Sequence, residues 1–225
     1  MRRVLVLRPE PGATATVDRA RERGLDAIAM PLFEVEPVEW AVPDPAEFDG
    51  LLLTSANAVR HGGKGLEALR GLQVYAVGEA TACAAREAGF DVASIGKGGV
   101  ERLLDSIDSG LSLLHLSGED RTRASARQTI TQISIYRSRE LANPGEIPRD
   151  CVALVHSPRA GRRLAELVRD RGRIAIAAIS AQAAEAVGSG WLLVDAAAAP
   201  SDEALLALAE RLCNKRQADE RHGHS

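Results

Sequence analysis

The sequence predicts an α/β protein with two domains, each a roughly five-stranded parallel sheet flanked by helices. Short Val, Ile and Leu runs alternate with longer amphipathic stretches, which is typical of β-α-β units. Aromatic residues make up only 3% of the chain, which favours aliphatic helices packed on parallel strands over aromatic binding platforms. A repeat inside the sequence indicates that the two domains are copies of one module.

Apolar runs between turn-forming residues predict ten strands. These are 4–7, 26–30, 50–53, 73–77, 92–95, 112–116, 133–136, 152–156, 174–178 and 192–194. Among the helices predicted between or after them are 13–23, 81–88, 159–171 and 202–212. Ser201 is the expected N-cap of the last helix, because its side chain can accept a hydrogen bond from the first turn.

Two proline-containing segments interrupt the alternation, and both are predicted to be extended connectors. They are 31–45 and 137–149. Cutting the chain at both leaves two, then five, then three strands, so the two ends together complete a five-stranded domain. The predicted boundaries are 1–35 plus 142–213 for a discontinuous domain, 40–135 for an inserted domain, 36–39 and 136–141 for the connectors, and 214–225 for a disordered tail.

The repeat has an offset of 102 residues. Leu53-Thr54-Ser55-Ala56 aligns with Val155-His156-Ser157-Pro158, and the same offset aligns Val77-Gly78 with Ile179-Ser180. Residues 101–104 and 203–206 align in the same way. A shared offset favours a duplicated module, with a chance alignment of two unrelated α/β units as the alternative.

Charge and cysteine usage argue against several classes of protein. The net charge of −3 predicts no general nucleic-acid-binding surface. Cys83, Cys151 and Cys213 are odd in number and far apart, so they predict neither a disulfide framework nor a zinc site. The first apolar run is too short for a signal peptide, and the longest is interrupted by polar residues and glycines. We therefore expect a cytoplasmic protein.

Nucleotide and metal motifs are also missing from the sequence. Gly62-Gly63-Lys64-Gly65 and Gly96-Lys97-Gly98-Gly99 lack the Ser or Thr that follows the lysine of a P-loop. The first strand ends in Arg8-Pro9 and not in a glycine-rich turn. The histidines are scattered, and no GxSxG nucleophile motif occurs. The sequence thus predicts no metal and no cofactor.

Hydroxyl, amide and glycine residues just past the predicted strands form the candidate substrate site. Ligands bind at this edge of open α/β sheets, and the helix N-termini there favour carboxylates or phosphates. The serines could instead be only helix caps. So many sites around one interdomain cleft would suit a large anion with many arms. The candidates are Arg8, Thr54, Ser55, Asn57, Gly78, Glu79, Ala80, Thr81, Ser117, Gly118 and Ser157.

The order of these motifs resembles the uroporphyrinogen-III synthase family. The resemblance covers most of the chain up to about Leu212, through residues 4–9, 30–37, 49–59, 77–82 and 155–158. It implies a cofactor-independent lyase of haem biosynthesis, which closes hydroxymethylbilane to uroporphyrinogen III with loss of water and inversion of the terminal pyrrole ring. The substrate is a small molecule with eight carboxylates, and we expect a monomer with no nucleic-acid or membrane partner.

Tyr136 matches a family tyrosine proposed to assist the leaving hydroxyl, with a structural role in the connector as the alternative. The chain departs from the family pattern at 179–183, which lacks the glycine and threonine found at Gly78 and Thr81. Basic groups for the carboxylates are expected from Arg8, Lys97, Arg121 and Arg123. A non-catalytic two-lobed module that closes on an organic anion and a nucleotide-dependent enzyme remain alternative functions.

Overall fold

A computed structural model of the chain describes residues 2–120 and 126–222, with side chains up to Asn214. Arg121 and Arg123, two of the predicted basic groups, lie outside the described residues. The chain divides into two compact units. Met1–Glu34 and Glu140–Ser225 form unit 1, which contains both chain ends, and Val35–Arg139 form unit 2.

The strands and helices alternate along most of the chain, as the apolar pattern predicts. The strands are β1 Arg3–Val6, β2 Ala27–Ala29, β3 Phe33–Pro37, β4 Gly50–Leu53, β5 Gln73–Val77, β6 Val92–Gly96, β7 Ser112–Gly118, β8 Thr129–Glu140, β9 Cys151–Val155, β10 Ala175–Ala178 and β11 Leu193–Ala196. The α-helices are α1 Gly12–Glu22, α2 Ala56–His61, α3 Glu79–Glu87, α4 Val100–Asp105, α5 Pro158–Leu167, α6 Ala181–Ala186 and α7 Asp202–His222. Two 3-10 segments, Pro45–Glu47 and Gly63–Leu69, flank β4 and α2.

The sheet of unit 1 has the strand order β11-β10-β9-β1-β2, and all its pairs are parallel. Successive residues of β1 face opposite sides of this sheet. Val4 and Val6 belong to a core formed with α1 and α7, whereas Leu5 packs in a second core with α5 and α6. Helices therefore cover both faces, which explains why strands such as β9 are apolar at every position.

The sheet of unit 2 has the order β3-β8-β7-β4-β5-β6 and is parallel from β8 to β6. Leu51 and Leu53 pack on one face with α2 and α3, and Leu52 packs on the other with α4. The two units thus confirm the predicted α/β class, with two parallel-sheet regions flanked by helices.

Parts of the segments that were predicted as connectors are hydrogen-bonded strands. β3 lies within predicted connector 31–45, and β8 continues to Glu140 beside it. Val38 N–H donates to the Ile135 carbonyl (2.9 Å), and Leu141 N–H donates to the Leu32 carbonyl (3.0 Å), so the two strands are antiparallel. Alternating apolar and charged residues stabilise such a pairing, and the sheet of unit 2 consequently has six strands.

The end of the chain also differs from the prediction. Helix α7 continues to His222, whereas the sequence pattern predicted a helix over 202–212 and a disordered tail over 214–225. Between Asn214 and His222 the sequence contains no glycine or proline that would end the helix, and disorder of the tail stays a prediction. Among the described residues, no helix is both long and apolar enough to cross a membrane.

Candidate functional site

Each sheet has one place where the direction of strand addition reverses. In unit 1 the chain adds β2 on one side of β1, and then β9, β10 and β11 on the other. In unit 2 it adds β5 and β6 on one side of β4, and then β7 and β8 on the other. The carboxyl ends of β1 and β9, and those of β4 and β7, therefore flank the crevices where open α/β sheets bind ligands.

At the crevice of unit 1 two predicted site residues follow neighbouring strands. Arg8 follows β1, and Ser157 follows β9. Ser157 Oγ accepts a hydrogen bond from the Ala160 N–H (3.1 Å) and thereby caps α5. The cap uses the acceptor oxygen of Ser157, and the O–H can still donate to a ligand. Ser157 therefore caps α5, and its O–H group can still bind a ligand.

Asp202, the first residue of α7, gathers polar side chains beside this crevice. It accepts hydrogen bonds from Thr16 Oγ1 (3.1 Å), Arg19 Nε (3.0 Å) and His156 Nε2 (3.0 Å). Arg8 Nη1 lies 3.6 Å from its Oδ1. We call these five residues the Asp202 cluster. Its members come from four different segments of unit 1.

The electrostatics of the Asp202 cluster keep its carboxylate ionised. Burial of Asp202 opposes ionisation, but the hydrogen bonds from His156 and Arg19 and the charge of Arg19 outweigh it, so the pKa of Asp202 is well below its usual range. Donation to the carboxylate places the His156 proton on Nε2. Nδ1 of His156 is then an acceptor, buried and without a partner among the described residues.

In unit 2 a hydrogen bond crosses from β4 to β7 at the crevice. Thr54 Oγ1 lies 3.1 Å from His115 Nε2, and the His115 side chain is buried. Next to it, Ser117 Oγ accepts from Gln132 Nε2 (2.8 Å) and donates to the Gly118 carbonyl (3.3 Å). The predicted residues Thr54, Ser117 and Gly118 are thus brought together by these two strands.

The residues after Thr54 are occupied in local contacts. Ser55 Oγ accepts from the Asn57 N–H (3.2 Å) and caps α2. Asn57 Oδ1 accepts from Arg60 Nη1 (3.4 Å). Both Ser55 and Asn57 are half-buried, so they remain reachable from solvent.

The glycine turn after β5 lies one strand further from the crevice. Gly78 has φ +81° and precedes α3, a conformation that favours glycine. Glu79 and Ala80 are exposed, whereas Thr81 is buried at 5% exposure. In unit 1 the matching position is Ser180, which caps α6 through the Ala183 N–H (3.3 Å).

Tyr136 lies on the other face of the unit 2 sheet from the Thr54–His115 pair. The pairing of β7 with β8 shifts between Ser117 and Gly118, so that Gly118 pairs with Tyr136 and Ile135 is the extra residue. Tyr136 therefore joins the same core as Ile135. The structure does not place it among the hydroxyl groups at the end of β4.

The Tyr136 hydroxyl has an unusual environment. The residue is 6% exposed, and its ring packs so closely on Gly118 that a Cβ there would lie 2.6 Å from Cε2. The ring centroid of His61 is 6.1 Å away. The buried hydroxyl has no hydrogen-bond partner among the described residues, and such a group requires an explanation, of which a catalytic role is one.

The sequence pattern does not identify most of the buried polar partners at the crevices. Asp202 is predicted only as the first residue of a helix, and His115 and His156 are too far apart in the sequence to predict a site. Thr16 and Arg19 gave no signal, because their contacts to Asp202 span more than 180 residues of sequence. Of the predicted basic groups in the described chain, Arg8 is in the Asp202 cluster, and Lys97 is exposed after β6.

The cap at Ser157 gives a first testable prediction. Ser157→Ala should lower the free energy of unfolding by about 1 kcal/mol, because the Ala160 N–H loses its acceptor. Ser157→Gly should lower the free energy of unfolding by only about a few tenths of a kcal/mol, since glycine is tolerated at N-caps. Urea unfolding followed by circular dichroism measures both. Equal losses for the two variants would contradict the cap as the source of the stability.

Hydroxyl, basic and amide groups at the switch points of two parallel sheets are typical of α/β proteins that bind a ligand at the carboxyl edge of their strands. A family model described as "Uroporphyrinogen-III synthase HemD" matches residues 14–207. The chain belongs to the uroporphyrinogen-III synthase family, which confirms the resemblance found in its motifs.

Individual proteins that are similar to this chain carry the same family name. The protein named uroporphyrinogen-III synthase from Chlorobaculum parvum (strain DSM 263 / NCIMB 8327) is 38% identical over 90 residues, and the match covers 36% of this chain and 37% of that protein. The crystal structure of uroporphyrinogen-III synthetase from Helicobacter pylori 26695 is similar with a TM-score of 0.68 and 19% identity, over 94% of this chain and 100% of that one. A mutant uroporphyrinogen III synthase from the extremely thermophilic bacterium Thermus thermophilus has a TM-score of 0.52 and 19% identity, over 96% and 100%. At such identities the structural similarity shows the fold.

Proposed function

We propose that the protein is a cofactor-independent uroporphyrinogen-III synthase, which converts hydroxymethylbilane to uroporphyrinogen III with loss of water. The observation that carries the proposal is the collection of polar groups at the switch points of both sheets, in a chain whose family match spans residues 14–207. The reaction needs a proton donor and a surface that holds a polycarboxylate, and the chain offers candidates for both.

The substrate carries eight carboxylates, and the crevices present groups that bind them. Arg8 supplies a charged donor in unit 1, and the start of α5 behind Ser157 supplies the positive end of a helix dipole. In unit 2 the α3 N-terminus behind Gly78 has the same character. Hydroxyls of Thr54 and Ser55 add neutral donors. Because strand ends and caps already fix these donors, the protein itself loses little conformational entropy when it binds the anion.

The chemistry divides into proton transfer and positioning. Departure of the hydroxymethyl oxygen as water requires a proton and leaves an azafulvene cation, which is reactive enough to be attacked without further activation. The enzyme must then hold the last pyrrole so that its substituted carbon attacks and a spiro intermediate forms. This geometry inverts the terminal ring, whereas attack through the free carbon gives the type I isomer.

Tyr136 is the proposed proton donor. Its hydroxyl has no competing acceptor among the described residues, so a substrate oxygen that reached it would satisfy an otherwise unpaired group. The close packing of its ring on Gly118 fixes the direction of the C–O bond. If Tyr136 were only structural, its ring would pack in the same way, but removal of its hydroxyl would not lower turnover.

Tyr136→Phe should lower turnover severalfold, and by up to about 100-fold if the proton transfer is fully lost. Stability should change little, because the removed hydroxyl makes no hydrogen bond to the described chain. The initial rate of type III isomer formation and the melting temperature measure the two effects. Tyr75→Phe, at the other tyrosine of unit 2, is the matched control. Unchanged kinetics in Tyr136→Phe would remove this residue from the mechanism.

An isomer assay tests the activity itself. Purified protein should convert hydroxymethylbilane to the type III isomer in the presence of a chelator and without added cofactor. The spontaneous type I product alone would indicate a non-catalytic module that binds an organic anion. The monomer expected from the sequence has a mass of 23.9 kDa, and light scattering that gave twice this value would contradict it.

A further inference from the structure

The guanidinium of Arg8 is held against the start of α1. A Cβ at Gly12 would lie 2.5 Å from Arg8 Nε, 2.8 Å from Cζ and 2.9 Å from Nη2, so the guanidinium occupies the space of a side chain at residue 12. Gly12 does not have a positive φ. The missing side chain of Gly12 therefore leaves the space that the Arg8 guanidinium takes, and no special backbone conformation calls for glycine there.

One end of Arg8 is tethered. Both of its polar contacts within the described chain use Nη1, to Thr16 Oγ1 (3.5 Å) and to Asp202 Oδ1 (3.6 Å). The Arg8 side chain is 36% exposed. A guanidinium carries five N–H donors in a planar fork, so a tether at Nη1 leaves donors that can bind a carboxylate.

Asp202 is itself fixed from two sides. Arg19 donates to it from α1, and the His156 side chain, which is 9% exposed, donates from the end of β9. The depressed pKa of Asp202 keeps this carboxylate charged at neutral pH. Arg8 and Arg19 carry two positive charges against the one negative charge, so the cluster is net positive with His156 neutral. A net positive cluster at the carboxyl edge of a sheet favours an anionic ligand.

We propose that Asp202 is a positioning residue, which fixes the Arg8 guanidinium on Gly12 so that Arg8 binds one carboxylate of the tetrapyrrole. Asp202 acts through Arg8 and does not itself touch the substrate. The proposal rests on the proposed function, and it adds a residue that the motifs did not identify. Its physical basis is pre-organisation, since an arginine that is already ordered loses less conformational freedom on binding.

The competing explanation is a structural one, in which Asp202 only joins α7 to α1. Asp202→Asn separates the two, because it keeps the size and an acceptor oxygen but removes the charge that attracts Arg8. The positioning role predicts that KM rises about 2- to 12-fold, the range that ordering one long side chain represents, with kcat nearly unchanged. A structural role predicts a lower melting temperature with the same KM.

Two further variants sharpen the test. Gly12→Ala displaces Arg8 without altering the Asp202 cluster's other members, and it should raise KM as Asp202→Asn does while the helix keeps its stability. Arg23→Gln removes the ion pair of Arg23 with Glu210 of α7, which lies outside the Asp202 cluster, and it should leave KM unchanged. In the Arg8→Gln background, Asp202→Asn should have no further effect on KM.

The outcomes separate this proposal from the proposed function. Additive effects of Arg8→Gln and Asp202→Asn, or an unchanged KM in Asp202→Asn, would overturn the positioning role while the type III assay still succeeds. If the unmodified protein forms no type III isomer, the same variants are compared by the fluorescence quenching of uroporphyrin III, an octacarboxylate probe. Non-additive weakening of its Kd would then support the positioning role, and equal Kd values would overturn it.

Discussion

Gly118→Ala should lower the free energy of unfolding by about 1–3 kcal/mol, the usual cost of adding a methyl group to a packed core. The new Cβ would lie 2.6 Å from Tyr136 Cε2 and 3.0 Å from Cζ. The tyrosine ring is 6% exposed and shares a core with Leu116 and Ile135, so it has little room to turn away. The ring must shift, and its hydroxyl shifts with it.

If Tyr136 has the proposed role, the same substitution should lower turnover, because a proton donor displaced by about a few tenths of an ångström no longer meets the leaving oxygen in line. Urea unfolding and the rate of type III isomer formation measure the two losses. Gly71→Ala is the control, since a Cβ there would meet nothing within 4 Å and the residue is in the same unit. A Gly118→Ala protein as stable and active as Gly71→Ala would show that the ring is not held by this contact.

Strand positions could be predicted because buried parallel strands are continuous apolar runs. β4 and β5 have the predicted bounds, and β9 and β10 differ from the predictions by one residue at one or both ends. The repeat was equally informative. Ser55 and Ser157, which align at the offset of 102, both cap the helix that follows their strand, so a local pattern of strand, hydroxyl and helix was enough to place them.

Features that depend on pairing between distant strands could not be predicted. The prolines near Glu36 and Arg137 indicated a connector. Only the pairing of β3 with β8 joins these two residues, in an ion pair of 2.6 Å. The face on which Tyr136 lies depends on a register shift between Ser117 and Gly118. No residue of the local sequence marks this shift, because the glycine there is equally compatible with a turn.

In the candidate site, the contacts of Asp202 likewise could not be predicted from the local sequence. Pro200 and Ser201 marked the start of a helix, and Ser201 Oγ does accept from the Ala204 N–H (3.2 Å). The neighbouring carboxylate was indistinguishable from an ordinary acidic residue in a first turn, which the helix dipole favours. Its partners Thr16 and His156 come from α1 and from the end of β9, and only the parallel order of the sheet brings them together.

Asp202→Ala should lower the free energy of unfolding at pH 7 by about 3 kcal/mol, because it leaves Arg19 and His156 without their acceptor in a partly buried site. Asp26→Ala is the matched control. Asp26 pairs with Arg3 at 2.8 Å in the same unit, but both side chains are about half exposed, and such surface pairs contribute about 0–1 kcal/mol.

The difference between the two variants should depend on pH in one direction. The pKa of Asp202 is lower in the folded chain than its ordinary value of 3.8, so the folded state binds fewer protons at this group than the unfolded state does. Its contribution to stability is complete above the ordinary value and is lost as the pH falls through the folded pKa. The effect of Asp202→Ala, measured by urea titrations at successive pH values, should therefore stay constant from pH 7 down to the ordinary value of 3.8 and shrink below it. An effect that did not shrink below this value, or that was no larger than that of Asp26→Ala at pH 7, would show that the ionised carboxylate is not what holds α7 to α1 and β9.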